Sequence, residues 1–265
     1  MSWIHVIVLA VVQGLTEILP ISSSGHLVLI PSVMEWKDQG LAFDVSVHFG
    51  TFVAICLYFR NDIARIAQGG LQVVTGRISS GESRLALAIG LGTLPAAVAG
   101  LLFAGWIEDN LRDPRVVAAT LAGYGVLLAA ADRFGPRRRE MRDLRLVDAL
   151  TIGAAQALAL IPGTSRSGIT ITAGLLLGLT RHDAARFSFL LSAPVVLLAT
   201  LYEALMIFVE GQTVILGALA GGALISAVVA FLTIGFFMRF VQAIGLVPFA
   251  IYRVLLAGLI LFVVV

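Results

Sequence analysis

The sequence predicts an all-α polytopic membrane protein made of two inverted-topology repeats, each a re-entrant helix hairpin plus three transmembrane helices. Three observations lead there: scarcity of charge, six continuous apolar runs, and two shorter apolar segments broken at similar Pro–Ser turns. Of 265 residues, 59% are hydrophobic and 13% charged, whereas soluble domains carry roughly 25% charged residues. Mean hydropathy is +0.99. So few charges cannot coat a water-facing surface, and the bilayer must be the solvent for most of the chain. The runs are continuous rather than alternating, so helices span, with their backbone polar groups bonded internally.

Runs long enough to cross occupy about 41–59, 85–106, 115–131, 186–208, 213–237 and 246–265. Most approach the roughly 20 residues a helix needs to cross the hydrocarbon core; 115–131 is short. Two segments break the pattern. Residues 4–19 contain Gln13 and Glu17 and end at Pro20; residues 148–161 contain Gln156 and end at Pro162. Each is followed by a Ser/Gly-rich turn, Ser22–Gly25 and Gly163–Gly168, and then by a second short run, about 26–34 and 169–179. A short helix, a polar break and a short helix form a re-entrant hairpin. Membrane depth tolerates such a break only where it is buried in protein or lines a wet cavity.

The two hairpins align. Gln13, Leu15, Pro20, Ser22, Ser23 and Gly25 pair with Gln156, Leu158, Pro162, Thr164, Ser165 and Gly168, with one residue slipped near Ser24. Repeat one is therefore expected over 1–132, repeat two over 147–265, and a basic cytoplasmic linker over 133–146. Repeats of this kind are common in transporter folds, which bind at the repeat interface.

Charge sets the orientation. Arg60, Arg65, Arg77 and Arg84 fall in loop 60–84, six arginines in loop 132–147, and Arg181 and Arg186 in loop 180–186. Loop 107–114 carries Glu108, Asp109, Asp113 and Arg112, and loop 209–213 carries Glu210. With arginine-rich loops in the cytoplasm, the first hairpin enters from outside and the second from the cytoplasm, so the polar turns meet near the midplane. The same rule accounts for the Arg137–Arg139 cluster, and no nucleic-acid partner is expected. The single Cys56 excludes an internal disulfide. The N-terminus lacks a basic leader region and a small-residue cleavage site, so it reads as part of the mature protein.

An ionisable group in a membrane segment costs roughly 2.5–3.5 kcal/mol on insertion scales. Glu17, His26 and Arg166 stand out on this ground, all within the hairpins. Gln13 and Glu17, spaced i, i+4, share a helix face. The turns add Ser22, Ser23 and Ser24 on one side and Gly163, Thr164, Ser165, Ser167 and Thr170 on the other. Hydroxyls, turn amides, a helix start near Ser167 and one arginine make an anion cradle. A nucleophile (Ser22, Ser23 or Ser24), a base (Glu17 or His26) and a clamp (Arg166) fit phosphoryl transfer. His48, Asp44 and Glu203 are weaker candidates near the cavity. His5 and His182 read as terminal or loop residues. Gly123, Gly125, Gly217, Gly221 and Gly222 suit close helix contacts within one subunit or across a homodimer.

These residues resemble a known family. Gln13-Gly14-Leu15-Thr16-Glu17 is similar to the Glu/Gln-x-x-x-Glu motif of the undecaprenyl-pyrophosphate phosphatases, the bacitracin-resistance type. Pro162–Thr170 is similar to their Pro-Gly-x-Ser-Arg-Ser-x-x-Thr motif, and Pro20–His26 to the segment between. The likeness runs through essentially the whole chain, including Ala185–Leu191. It implies hydrolysis of undecaprenyl pyrophosphate to undecaprenyl phosphate and inorganic phosphate at the outer face of the bacterial inner membrane, recycling the cell-wall lipid carrier. It implies essential roles for Glu17, His26 and Arg166. Ser23 is its candidate nucleophile, with His26 also proposed for that role, and Ser165 and Thr170 bind phosphate. The family's activity is described as needing Mg²⁺ or Ca²⁺. Many members have Glu where this chain has Gln13, which leaves Glu17 as the motif's carboxylate for a metal; the ion otherwise arrives on the substrate's pyrophosphate. An acid-phosphatase-like family needs a histidine where Thr172 stands and is rejected. The alternative function is a transporter or flippase of polyprenyl phosphate lipid.

Overall fold

A computed structural model describes residues 2–34, 36, 39–209 and 216–265. Among these the chain is helical, with eleven α-helices: α1 Trp3–Thr16, α2 Ser23–Met34, α3 Leu41–Tyr58, α4 Arg60–Val74, α5 Gly81–Asn110, α6 Pro114–Phe134, α7 Leu146–Ala157, α8 Arg166–Leu176, α9 Arg181–Val209, α10 Leu216–Ile244 and α11 Val247–Val263. Five of them, α3, α5, α6, α9 and α10, are long and apolar enough to cross a membrane. The sixth predicted span is α11, with 17 residues. The expected breaks lie between α1 and α2 and between α7 and α8. The protein is thus a multi-pass membrane protein. Glu210, expected in a loop, and the first three residues of the predicted span 213–237 lie outside the described residues.

Two expectations are corrected. Span 115–131 is not short: α6 runs 21 residues, because Asp113 caps it by accepting from the Arg115 amide (2.7 Å) and Pro114 begins it. Loop 60–84 is largely the helix α4. Its charges disguise it, yet Ile63 and Ile66 share one face and pack on the core, while Asp62 and Gly69 are buried. Charge at a membrane boundary thus marks an amphipathic helix as readily as a loop.

The outside is apolar and much of the inside is polar. Leu101, Phe208 and Phe262 are more than three-quarters exposed, whereas Gln13, Ser22, Thr51, Thr164 and Arg253 are buried. The principal helix pairings join α3 to α10, α6 to α11, α5 to α7 and α1 to α10. Each joins an element from α1 to α6 to one from α7 to α11, so the two halves interleave. One core gathers Ala54, Ile171, Leu190, Leu191, Ile234 and Phe237; another joins Leu29 of α2 to Leu121 of α6 and Leu256 of α11.

Close approach depends on glycine at these crossings. A Cβ on Gly153 of α7 would fall 2.2 Å from the Gly92 carbonyl oxygen of α5, and one on Gly50 of α3 equally close to the Ala223 carbonyl of α10. Of the glycines singled out in the sequence, Gly125, Gly221 and Gly222 face Arg253, Trp3 and Phe43 within this chain, whereas Gly123 and Gly217 face open space.

The arginine-rich ends are tied by buried carboxylates. Arg181 grips Asp132 in a fork at 2.5 and 3.0 Å, and Arg186 grips Asp62 at 2.9 and 2.5 Å. Asp132 also accepts from the Leu246 amide at 2.9 Å, so one carboxylate joins α6, α9 and the start of α11. At the start of α7, burial pushes the Asp148 carboxyl's pKa up, but hydrogen bonds from Arg145 and Arg139 prevail and hold it well below the usual range.

Gly153→Val should therefore cost about 3 kcal/mol through overpacking. The expected result is a lower unfolding temperature in detergent, with Gly90→Ala, where a Cβ meets nothing within 4 Å, as the unaffected control.

Candidate active site

The two breaks are built alike. Ser22 and Ser165 each have left-handed backbone (φ +73° and +67°) immediately before a helix, at the starts of α2 and α8. That conformation disfavours non-glycine residues by roughly 1–2 kcal/mol, so the surrounding bonds must fix it. The shared geometry pairs Ser22 with Ser165 and Ser23 with Arg166, a constant offset of 143 from Gln13–Gln156 onward. The predicted slip near Ser24 is unnecessary. Ser23 and Arg166 thus open their helices at like positions, and α8 starts one residue earlier than expected.

Both reach Glu17, which caps the C-terminus of α1. Arg166 Nη2 donates to Glu17 Oε1 at 2.5 Å. Ser23 Oγ donates to Oε2 at 3.1 Å, as does Gln13 Nε2 at 3.1 Å. His48 Nε2 of α3 stands 3.7 Å from the same oxygen. Nη1 of Arg166 donates to the Ser192 carbonyl at 3.2 Å, in the stretch of α9 that Pro194 interrupts. The acid, hydroxyl and guanidinium predicted from two distant stretches are therefore one cluster.

Further bonds join the turns directly. The Gly163 amide donates to Ser24 Oγ (2.9 Å), and Ser167 Oγ donates to the Leu19 carbonyl (3.3 Å). Ser22 and Ser24 hydroxyls are 3.0 Å apart. Ser165 caps α8 by accepting from the Gly168 amide at 3.2 Å. Gly163 has φ +86°, and a Cβ there would come within 2.2 Å of Thr120 Oγ1 and 2.5 Å of the Val117 carbonyl oxygen, so this position needs glycine on two counts.

Glu17, Ser22, Ser23, Ser24, Ser165, Arg166 and Ser167 line a cavity of about 630 Å³, together with His48, Asp44, Glu203 and Gln156. Five predicted residues stand behind its wall. Gln13 is buried against Glu17. The Gly163 amide is engaged by Ser24, Thr164 is fully buried, and Thr170 pairs with Ser188 Oγ at 2.6 Å. His26 Nδ1 bonds the Ser22 carbonyl at 2.8 Å, and Nε2 bonds Tyr252 OH at 2.7 Å. A carbonyl only accepts, so Nδ1 carries the hydrogen, and in that tautomer Nε2 accepts the hydrogen bond donated by the Tyr252 hydroxyl. His26 thereby braces the left-handed Ser22 from behind. His5, on the first turn of α1, lies against Trp36 with the rings tilted by 36°, and His182 lies in the first turn of α9.

Sequence reasoning passed over Arg253, although the cost of an ionisable group inside the span 246–265 flagged it as strongly as Arg166. It is fully buried and donates to the Gly163 carbonyl (3.1 Å), the Thr164 carbonyl (2.8 Å) and the Leu121 carbonyl (3.2 Å). Thr120 Oγ1 adds a bond to the Pro162 carbonyl at 2.6 Å. Together they fasten the second turn to α6 and α11. Tyr252 and Ser192 were likewise missed; a lone tyrosine or serine in an apolar run carries no signal of its own.

With this geometry in view, comparison with known proteins is decisive. Residues 6–259 match the family model described as "Bacitracin resistance protein BacA". The chain belongs to that family. It is 55% identical to an undecaprenyl-diphosphatase of Hahella chejuensis over 260 residues, covering 98% of this chain and 97% of that one. It is 53% identical to an undecaprenyl-diphosphatase of Nitrosococcus oceani over 262 residues (99% of each), and 52% identical to one of Teredinibacter turnerae over 265 residues (100% of each).

Replacing Arg253 by Met keeps much of the apolar volume but strips several buried carbonyls of their donor. The expected loss is about 3 kcal/mol of stability, read as a lower unfolding temperature, whereas Arg239→Met on the exposed face of α10 should leave it unchanged.

Proposed function

We propose that this protein hydrolyses undecaprenyl diphosphate to undecaprenyl phosphate and inorganic phosphate at the outer face of the bacterial inner membrane, recycling the lipid carrier and conferring bacitracin resistance. The carrying observation is that Ser23 donates to the same carboxylate that Arg166 pairs with, on the wall of one cavity. The names of its relatives supply the substrate class. The outward-facing reading is supported by the gathering of arginines at the opposite ends of the spans. A pair of inverted hairpins is supported by two contacts: Trp3 lies against Gly221 near the start of α10, and α7 begins beside Arg139 and Arg145 at the arginine-rich end.

In this reading the terminal phosphate draws Arg166 from Glu17, because a phosphate offers the guanidinium fork more charge. Glu17 Oε2 then takes the Ser23 proton while Ser23 Oγ bonds the terminal phosphorus. The bond from that phosphorus to the bridging oxygen breaks, and undecaprenyl phosphate leaves with the electron pair. Glu17 passes that proton to the departing phosphate oxygen and, again a carboxylate, deprotonates the water that attacks the phosphoserine; the bond from phosphorus to Ser23 Oγ breaks, the proton returns to Oγ, and inorganic phosphate is released. Arg166 stabilises charge on the transferring oxygens throughout. Among cavity-lining serines, Ser23 is favoured because its hydroxyl bonds Glu17, whereas the Ser24 oxygen accepts from the Gly163 amide and bonds the Ser22 hydroxyl. His26 positions the turn from behind. A carrier needs no hydroxyl held against an acid, so the lipid transporter is the weaker reading.

The donor set does not fit a resident divalent cation. Hard cations want several carboxylate oxygens. Both oxygens of Glu17 are engaged, Gln13 stands where a second motif carboxylate would be, and the described residues gather no group of three or more His, Cys, Asp or Glu suited to a metal. We therefore assign any Mg²⁺ or Ca²⁺ to the substrate's diphosphate.

Arg166→Ala should reduce phosphate release from the C55 diphosphate lipid by on the order of 10³-fold or more in protein that remains monodisperse in detergent, and Ser23→Ala should do the same without forming phosphoenzyme. Near-normal turnover in Ser23→Ala would move the nucleophile to another group; proteoliposomes that redistribute lipid without releasing phosphate would replace hydrolysis with transport. If the cation travels with the substrate, activity should track the concentration of the cation–diphosphate complex, and dialysed protein should retain less than one metal ion per chain by elemental analysis.

A further inference from the structure

Two glutamines occupy like positions in the hairpins, and they are used differently. Gln13 spends its amide on Glu17, four residues on. Four residues after Gln156 stands Leu160, so the second hairpin has no acid for its glutamine to hold. Gln156 is 2% exposed and lines the cavity, yet neither its Oε1 nor its Nε2 has a hydrogen-bond partner among the described residues. A buried amide unmet at both ends is penalised and rarely left so without a role. The neighbouring groups contrast with it: Arg166 bonds Glu17 and Ser192, Ser23 bonds Glu17, and Ser24 bonds Gly163.

We propose that Gln156 is a further substrate-binding residue, donating its amide N–H groups to non-bridging oxygens of the diphosphate head group. This rests on the phosphatase reading of the same cavity. A diphosphate presents more acceptor oxygens than one guanidinium fork can satisfy, and each wants a donor once the head group leaves water. A neutral amide meets that need from α7 without adding charge. Because the amide binds ground state and transition state alike, its contribution lies in affinity rather than turnover.

The test uses the full-length protein in detergent, with inorganic pyrophosphate as binding probe and C55 diphosphate lipid as substrate. Gln156→Leu removes the polar atoms at similar size. Pyrophosphate affinity should fall about tenfold and KM rise about tenfold, with kcat within about threefold and an unfolding temperature equal to or above wild type, since an unmet buried amide has been removed. Gln156→Glu should bind pyrophosphate more weakly still, through repulsion. Wild-type affinity in Gln156→Leu would overturn the proposal, as would a loss of affinity that only accompanies a lower unfolding temperature in both variants, or a fall in kcat with affinity intact. A wild-type protein that binds no pyrophosphate would overturn it too. If the wild type binds pyrophosphate but releases no phosphate from the lipid, the hydrolase reading fails while the two variants still decide the role of Gln156.

Discussion

The site depends on a charge pair that neither half of the chain can make alone. Glu17 and Arg166 lie 149 positions apart in sequence and 2.5 Å apart in space. Either group unpaired inside an apolar fold would be strongly unfavourable, so each turn needs the other once both are withdrawn from water. Pairing alone is a poor source of stability, because desolvation offsets much of the attraction. The gain is registry: once Arg166 engages Glu17, Ser23, Gln13 and Ser192 have fixed places around it.

That registry is held from behind by groups that do not touch the cavity. Arg253 gathers the carbonyls of the second turn, and Thr120 holds the carbonyl of Pro162. His26, bonded to Tyr252, braces the first turn at the left-handed Ser22. Irregular backbone is tolerated here because protein groups supply what bilayer cannot. The same logic explains why the outer surface is smooth and apolar while the interior is crowded with hydroxyls and amides. Lipid-facing positions need only greasy side chains, whereas each break in a helix exposes amides and carbonyls that must be met locally.

The amphipathic α4 looks like a loop in the linear sequence because its charges outweigh its two core-facing isoleucines. Arg253 was passed over because it sits singly in a long apolar run, without the flanking serines that drew attention to Arg166. Matching prolines and serines by identity shifts the register between the hairpins by one residue over Pro20–Ser23, because identity hides the backbone equivalence of Ser22 and Ser165. In each case the deciding information is three-dimensional: which face a side chain takes, which carbonyl it meets, which dihedral a turn requires.

By itself the sequence determined the membrane environment, the helical class, the positions of the two breaks, and the acid, hydroxyl and guanidinium that the fold brings together. These follow from composition and from the cost of burying polar groups, which act locally along the chain and are legible in one dimension. Tertiary structure alone decided which candidates face the cavity. It turned Ser23 toward Glu17, set His26, Thr164 and Thr170 behind the wall, left Gln156 without a hydrogen-bond partner among the described residues, and interleaved the two halves rather than stacking them as separate units. Those outcomes depend on close-packed crossings such as Gly153 on Gly92, where a single carbon atom would change which helices can meet.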